Sequence, residues 1–275
     1  MIHIFRRTFS PITFLLLALV TLSVPSVLAD ECKQLSATGN SEYPPYLWRT
    51  DKESNELSGA ISSIMEELGQ RLNRDIELKH VGSWSRAQEE VKSGRVDLIA
   101  GAFYTEPRSR WMNYIRPAFL TTNSVVWIHS TSDVSFHGRS DLVDKLGVTV
   151  INNSFGQSFD EYAKNNLKIE YVASIEQAYK MLVLDRVDYL LYEKNPGLAY
   201  ASKMGVSHQV SELLPSISSE GLYLTISHKS KCNTDQLRSE LDRHLREMSE
   251  DGYTDKALQK SQQAWDEEAR KIKWR

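Results

Sequence analysis

Apolar residues follow two different spacings along this chain. Short runs suited to strands recur at Gln34–Thr38, Ile76–Val81, Val96–Ala102, Leu146–Ile151, Lys168–Val172 and Val187–Tyr192. Between them, apolar residues fall three or four positions apart. Ile61, Ile64, Met65, Leu68 and Leu72 share one helical face, and Ile175, Ala178, Met181 and Leu182 share another. Further helices are expected at Trp84–Ser93, at Asn153–Asn165, and on the stripe formed by Leu237, Leu241, Leu245 and Met248. Gly39–Asp51, which carries Tyr43-Pro44-Pro45-Tyr46, reads as a loop. Thr105-Glu106-Pro107-Arg108 reads as a helix start, with Thr105 as cap and Pro107 in the first turn. Strands alternating with amphipathic helices predict an α/β fold with mostly parallel sheets.

Two longer extended segments, Ala118–Ile128 and Gly221–Ser227, interrupt the alternation. The chain is therefore expected to leave one α/β unit near residue 120, build a second, and return near residue 225. This divides it into a first lobe over 30–119 and 226–275 and a second over 120–225. The two crossings would act as a hinge, with a ligand cleft between the lobes.

Residues 1–29 do not fit that pattern. Arg6 and Arg7 precede an apolar run from Ile12 to Val24, then Pro25-Ser26-Val27-Leu28-Ala29. That is the layout of a cleaved secretory signal peptide, and the run is short for a membrane span. Cleavage after Ala29 would leave 246 of the 275 residues. Asp30 and Glu31 spoil the small-residue run that lipid attachment at Cys32 would need. Removing Arg6 and Arg7 takes the formal charge from −3 to −5, a poor balance for binding nucleic acid. The two cysteines, Cys32 and Cys232, form an even set in an exported chain, which favours a disulfide over two free thiols. Such a bond would tie together two segments of the first lobe and span the inserted second one.

Enzyme motifs are scarce. There is no Gly-x-Ser-x-Gly elbow and no phosphate-binding Gly-x-x-x-x-Gly-Lys loop. The seven histidines are scattered without metal-ligand spacing, so no metal and no cofactor is expected.

Three segments, taken together, resemble the bacterial extracellular solute-binding proteins of family 3, receptors of polar amino-acid ABC importers and their relatives. The first is Tyr43-Pro44-Pro45-Tyr46 with Gly59 and the helix that follows. The second runs Trp84-Ser85-Arg86-Ala87, then Ser93-Gly94-Arg95-Val96-Asp97-Leu98-Ile99-Ala100-Gly101, then Thr105-Glu106-Pro107-Arg108. The third is Met181-Leu182 followed by Asp185-Arg186-Val187-Asp188-Tyr189-Leu190-Leu191. The resemblance implies a two-lobe periplasmic binding protein-like fold (type II), each lobe a mostly parallel sheet flanked by helices, with two hinge crossings.

It also implies roles. Arg108 matches the arginine that grips a ligand carboxylate through two parallel hydrogen bonds. Glu193, five residues after Asp188, matches the acid that pairs with a ligand ammonium. Tyr43 and Trp84 match cleft walls, with Tyr46, Tyr104 and Tyr192 as further aromatic candidates. Asn153 and Ser154 lie at a strand-to-helix turn whose free N–H groups can bind a carboxylate, or can simply be capped. The acid usual near Asn40 is an amide here, and the segment from Asp97 to Arg108 is one residue shorter than is usual. The implied function is capture of an amino acid or related carboxylate by a monomer, for an inner-membrane ABC permease or a sensor. The alternative is an exported enzyme on the same scaffold, similar to cyclohexadienyl dehydratases, with Glu193 or Glu220 as acid.

Overall fold

The computed structural model describes residues 32–50 and 53–273, with side chains through residue 268; the expected leader lies outside the described residues. Strand β1 (Gln34–Thr38) starts the fold. The segment read as a loop folds into β2 (Glu42–Tyr43) and β3 (Leu47–Arg49), which join β4 (Leu57–Ser58) in a three-stranded antiparallel sheet. Each of these strands has only two or three residues, too few for a period-two pattern to register.

Helix α1 (Ala60–Leu72) buries Ile61, Ile64, Met65 and Leu68, the face expected from their spacing. Its N-terminus also holds the Tyr-Pro-Pro-Tyr segment in place. The Ala60 and Ile61 amides, which have no intrahelical acceptor, donate to Pro45 O at 3.2 Å and Tyr46 O at 2.9 Å. Gly59 permits this approach. It has φ 127°, and a Cβ there would sit 2.4 Å from Tyr46 O.

Next come β5 (Asp75–Leu78), α2 (Trp84–Lys92), β6 (Leu98–Ala102), the short α3 (Glu106–Ser109) and β7 (Met112–Tyr114). Ser83 caps α2, and Thr105 caps α3 as expected. The chain then crosses on β8 (Leu120–His129) and builds β9 (Leu146–Val150), α4 (Gln157–Asn166), β10 (Lys168–Val172), α5 (Ile175–Val183), β11 (Tyr189–Glu193) and α6 (Lys194–Lys203). It returns on β12 (Val210–Ser227) and ends in α7 (Asp235–Glu250) and α8 (Tyr253–Lys273).

The main sheet has nine strands in the order β10-β9-β11-β8-β12-β6-β1-β5, with β7 branching from β12. Each end is a parallel trio: β5, β1 and β6 on one side, β11, β9 and β10 on the other. The long antiparallel strands β8 and β12 join the trios. One apolar cluster runs from Leu35, Leu98 and Ile226 on the β1 side to Val148, Val172 and Leu190 on the β9 side.

Three elements differ from the sequence pattern. Strand β12 begins at Val210, not Gly221. Its first part contains Pro215 in a cis peptide, and its register with β8 shifts between Leu213 and Ser218. A proline and a bulge hide a strand from pattern reading. Helix α6 forms over Lys194–Lys203, where the pattern assigns no element; Pro196 is tolerated because it lies in the first helical turn. Helix α4 begins only at Gln157, since Asn152 and Gly156 take positive φ values of 60° and 90° that end β9 in a turn.

Helix α8 packs on α1 and α7 and also on α6 of the β9 side. Trp265 meets Trp48 edge-on at 5.3 Å, beside Ala199. Cys32 and Cys232 are bonded, with Cα atoms 5.5 Å apart and 200 positions of chain between them. The bond anchors the entry to β1 against the loop between β12 and α7. Cys32→Ser with Cys232→Ser is expected to lower unfolding free energy by roughly 2–5 kcal/mol, read by urea denaturation. An unchanged midpoint would show that the link does not constrain the unfolded chain.

Candidate ligand-binding site

Residues from the β1 side and the β9 side of the sheet meet around a small cavity. Its lining is Asn40, Tyr43, Trp84, Gly101, Phe103, Arg108, Asn153 and Glu193. Six of the eight residues expected to bind ligand are thus brought together from distant parts of the chain. The cavity holds only about 20 Å³, room for about one water.

Arg108 is positioned by α3. Thr105 Oγ1 accepts from the Arg108 amide at 3.3 Å, so the side chain leaves a fixed helical turn. Only 7% of the residue is exposed. Its guanidinium donates to Phe103 O at 3.2 Å and to Asn152 O at 3.0 Å, and stacks over the Trp84 ring at 5.4 Å. Among the described residues no carboxylate lies within ion-pair distance of it. Burial pulls its pKa below the ordinary arginine value.

Glu193 ends β11 on the opposite side and is 1% exposed. Oε1 accepts from Asn153 Nδ2 at 3.4 Å, while Oε2 is buried with no partner. Burial raises its pKa from 4.5 to about 7. The Tyr43 hydroxyl is likewise buried without a partner, and burial beside Glu193 pushes it well above the ordinary phenol range. Tyr43 packs against Tyr46 at 5.1 Å and edge-on against Tyr192 at 6.4 Å. Tyr192 donates to Glu42 O at 3.0 Å, and Asn195 donates to the Tyr46 hydroxyl at 3.1 Å. These bonds tie α6 and the end of β11 to the Tyr-Pro-Pro-Tyr segment.

The other expected residues are placed differently. Tyr104 is 40% exposed, edge-on against Tyr114 at 5.0 Å and beneath Arg116, and does not line the cavity. Ser154 bonds Asp160 and lines a neighbouring polar groove of about 530 Å³, which Arg108 and Asn153 also border. Several N–H groups of the turn are already used: Asn153 N by Val150 O, Phe155 N by Asp160 and Gly156 N by Ser154. Asn40 accepts from Glu42 N at 3.0 Å and so shapes the entry to β2. Glu220 lines a separate hollow of about 440 Å³ with Phe136, Phe155 and Phe159. Among the described residues no group of three or more His, Cys, Asp or Glu could hold a metal ion.

Sequence reading missed Phe103, Gly101, Gln88 and Asn152. Gln88 had a signal, since it lies one helical turn after Trp84 on α2. Asn152 had none, because it contributes a backbone carbonyl.

The model of bacterial extracellular solute-binding proteins, family 3, matches residues 35–263. The chain belongs to that family. Among solved structures, an ancestral arginine-binding protein bound to arginine is similar at 22% identity and TM-score 0.69, over 83% of this chain and 97% of that one. An amino-acid ABC transporter substrate-binding protein from Streptococcus pneumoniae, bound to L-arginine, is similar at 16% identity and TM-score 0.69, over 85% and 96%. A histidine kinase sensor domain with similarity to periplasmic binding proteins gives 18% and 0.70, over 84% and 96%. At these identities the solved structures establish the fold. A search of curated proteins finds no match. Among the described residues no helix is long and apolar enough to cross a membrane.

Glu193 holds its proton more tightly in the folded chain than in the unfolded one. The stability it contributes is therefore complete below about pH 4.5 and is lost as pH rises through about 7. Relative to Glu193→Gln, the native protein is expected to lose roughly 3 kcal/mol of unfolding free energy between those pH values. Urea denaturation of both proteins across that range checks this; parallel pH profiles would contradict it.

Proposed function

We propose that this family 3 protein captures an amino acid or a related small carboxylate by closing its cleft. The observation that carries this reading is a buried guanidinium and a buried carboxylate facing one cavity from opposite sides of the cleft. A zwitterion supplies a partner for each, and burying either charge unpaired is costly. Arg108 would take the carboxylate and Glu193 the ammonium, with Tyr43, Trp84 and Phe103 as walls and Asn40 and Asn153 as polar neighbours. Ser154 would act through the turn that carries Asn153, and Tyr104 at the outer edge.

In this reading, residues 30–119 and 226–275 move as one lobe and residues 120–225 as the other. Strands β8 and β12 form the hinge, and binding free energy selects the closed arrangement. The mature protein would be a periplasmic monomer, freed by removal of residues 1–29. The leader pattern and the disulfide support that location. It would deliver its solute to an inner-membrane ABC permease or a sensor. Similar structures include proteins of both settings.

A second reading, an acid–base enzyme on the same scaffold, is favoured by one observation: the Glu193 carboxyl held near 7. Incubation with prephenate separates the two. The binding reading expects no product, and turnover that depends on Glu193 would replace it with the enzyme.

A thermal-shift screen of the mature protein against L-amino acids and small carboxylates is expected to find a solute that raises the melting temperature with concentration. Arg108→Ala is then expected to weaken calorimetric affinity for that solute on the order of 100-fold or more, as loss of a buried charge partner implies. Unchanged affinity in a folded Arg108→Ala protein would overturn the carboxylate assignment.

A further inference from the structure

Both buried charges of the cavity are met by one turn of the chain. Arg108 donates to Asn152 O, and the same carbonyl receives Trp84 Nε1 at 3.2 Å and Gln88 Nε2 at 3.2 Å. Three donors from α2 and α3 on the β1 side therefore converge on one backbone oxygen from the β9 side. The next residue, Asn153, directs its amide nitrogen to Glu193 Oε1. The Asn152 side chain donates to Ser85 Oγ at 2.8 Å, and Gln157 Oε1 accepts from the Glu106 amide at 3.0 Å, so the cleft is stitched along this edge.

The chemistry of the turn is that of an amino acid. It offers an acceptor oxygen to the guanidinium and an N–H donor to the carboxylate, joined by a short covalent path. The left-handed φ of Asn152, 60°, is a conformation that asparagine accepts more readily than most residues. With the turn seated, the remaining space is that of about one water.

We propose that the Asn152–Asn153 turn is an internal pseudo-ligand: it occupies Glu193 from its own side and Arg108 when the cleft closes, and a solute must displace it. Asn153 stays with Glu193 on its own side of the cleft, and the Asn152 carbonyl catches Arg108, Trp84 and Gln88 as the sides meet. Residues 152 and 153 thereby set specificity. A neutral solute bearing a carbonyl and an amide only equals what the turn already provides. A zwitterion exceeds it at both ends, because it brings a full opposite charge to the guanidinium and to the carboxylate, where the turn brings only a neutral dipole to each. The population held by the turn reduces apparent affinity in proportion. The preference for zwitterions rests on the function proposed above, whereas the stitching of the cleft does not.

The test uses the mature, disulfide-bonded protein with spin labels on Lys92→Cys and Asn165→Cys, one on each side of the cleft. Electron–electron resonance with no solute added is expected to give one narrow, short interlabel distance. Gln88→Ala combined with Asn153→Gly is expected to shift it to a longer, broader distribution. A long or broad distance in the otherwise native protein, or no change in the variant, would overturn the proposal.

A thermal-shift titration with the L-amino acids adds the solute arm. Asn153→Gly is expected to reach a given shift at roughly tenfold lower concentration than the native turn, the worth of the one competing hydrogen bond it removes from Glu193. A higher concentration requirement would overturn the competitor role. If no amino acid shifts either protein, the amino-acid reading falls, and the distances alone decide whether the turn closes the cleft.

Discussion

Arg108 and Glu193 are opposite charges buried in the same cavity, and neither has the other as a hydrogen-bond partner. A buried charge without a partner costs several kcal/mol, so each must be completed by something else. For the guanidinium the completion is two carbonyls and an indole face. For the carboxylate it is one long amide bond, too little to offset burial, which raises its pKa to about 7. Everything near the cleft can be understood as a means of holding these two groups apart and facing each other.

The scaffold meets that demand with strands at the two ends and helix termini near the centre. Arg108 leaves a turn capped by Thr105, and Glu193 stands at the junction of β11 and α6. The Tyr-Pro-Pro-Tyr segment has no regular ladder beyond two short strands. It is fixed instead by the first amides of α1, by Ser261 on Pro45 O, and by tyrosine contacts with the far side. Helix α8 presses Trp265 onto Trp48 and Ala199, so the end of the described chain also reaches across the cleft. A motion that opens the cleft must break these contacts together with the bonds to Asn152.

The parts of this arrangement that could be read from the sequence are those carried by side-chain identity at a fixed local spacing. The α1 stripe and the Thr105 cap are local patterns, and they appear as read; Arg108 comes by resemblance, and it lines the cavity. Trp84 and Glu193 were placed by resemblance, and both line the cavity. What escaped is carried by backbone geometry. The three-donor carbonyl of Asn152 depends on a left-handed φ, which asparagine accepts readily but which Ile-Asn-Asn-Ser does not by itself require. The first half of β12 is concealed by Pro215 and a register shift, and α6 carries two helix breakers, Pro196 and Gly197, near its start. Tyr104, an aromatic candidate by resemblance, packs edge-on against Tyr114 and does not line the cavity.

That Glu193 is a buried carboxyl of the cavity, kept without a charged partner of its own, underlies the rest of the site. It is tested most directly by carbon-13 NMR of the mature protein with labelled glutamate, the Glu193 signal being assigned by its loss in Glu193→Gln. The account predicts a carboxyl titration midpoint near 7, the outlying value expected of a fully buried group. A midpoint close to the ordinary 4.5 would mean that Glu193 is solvated or already paired, and would contradict the account.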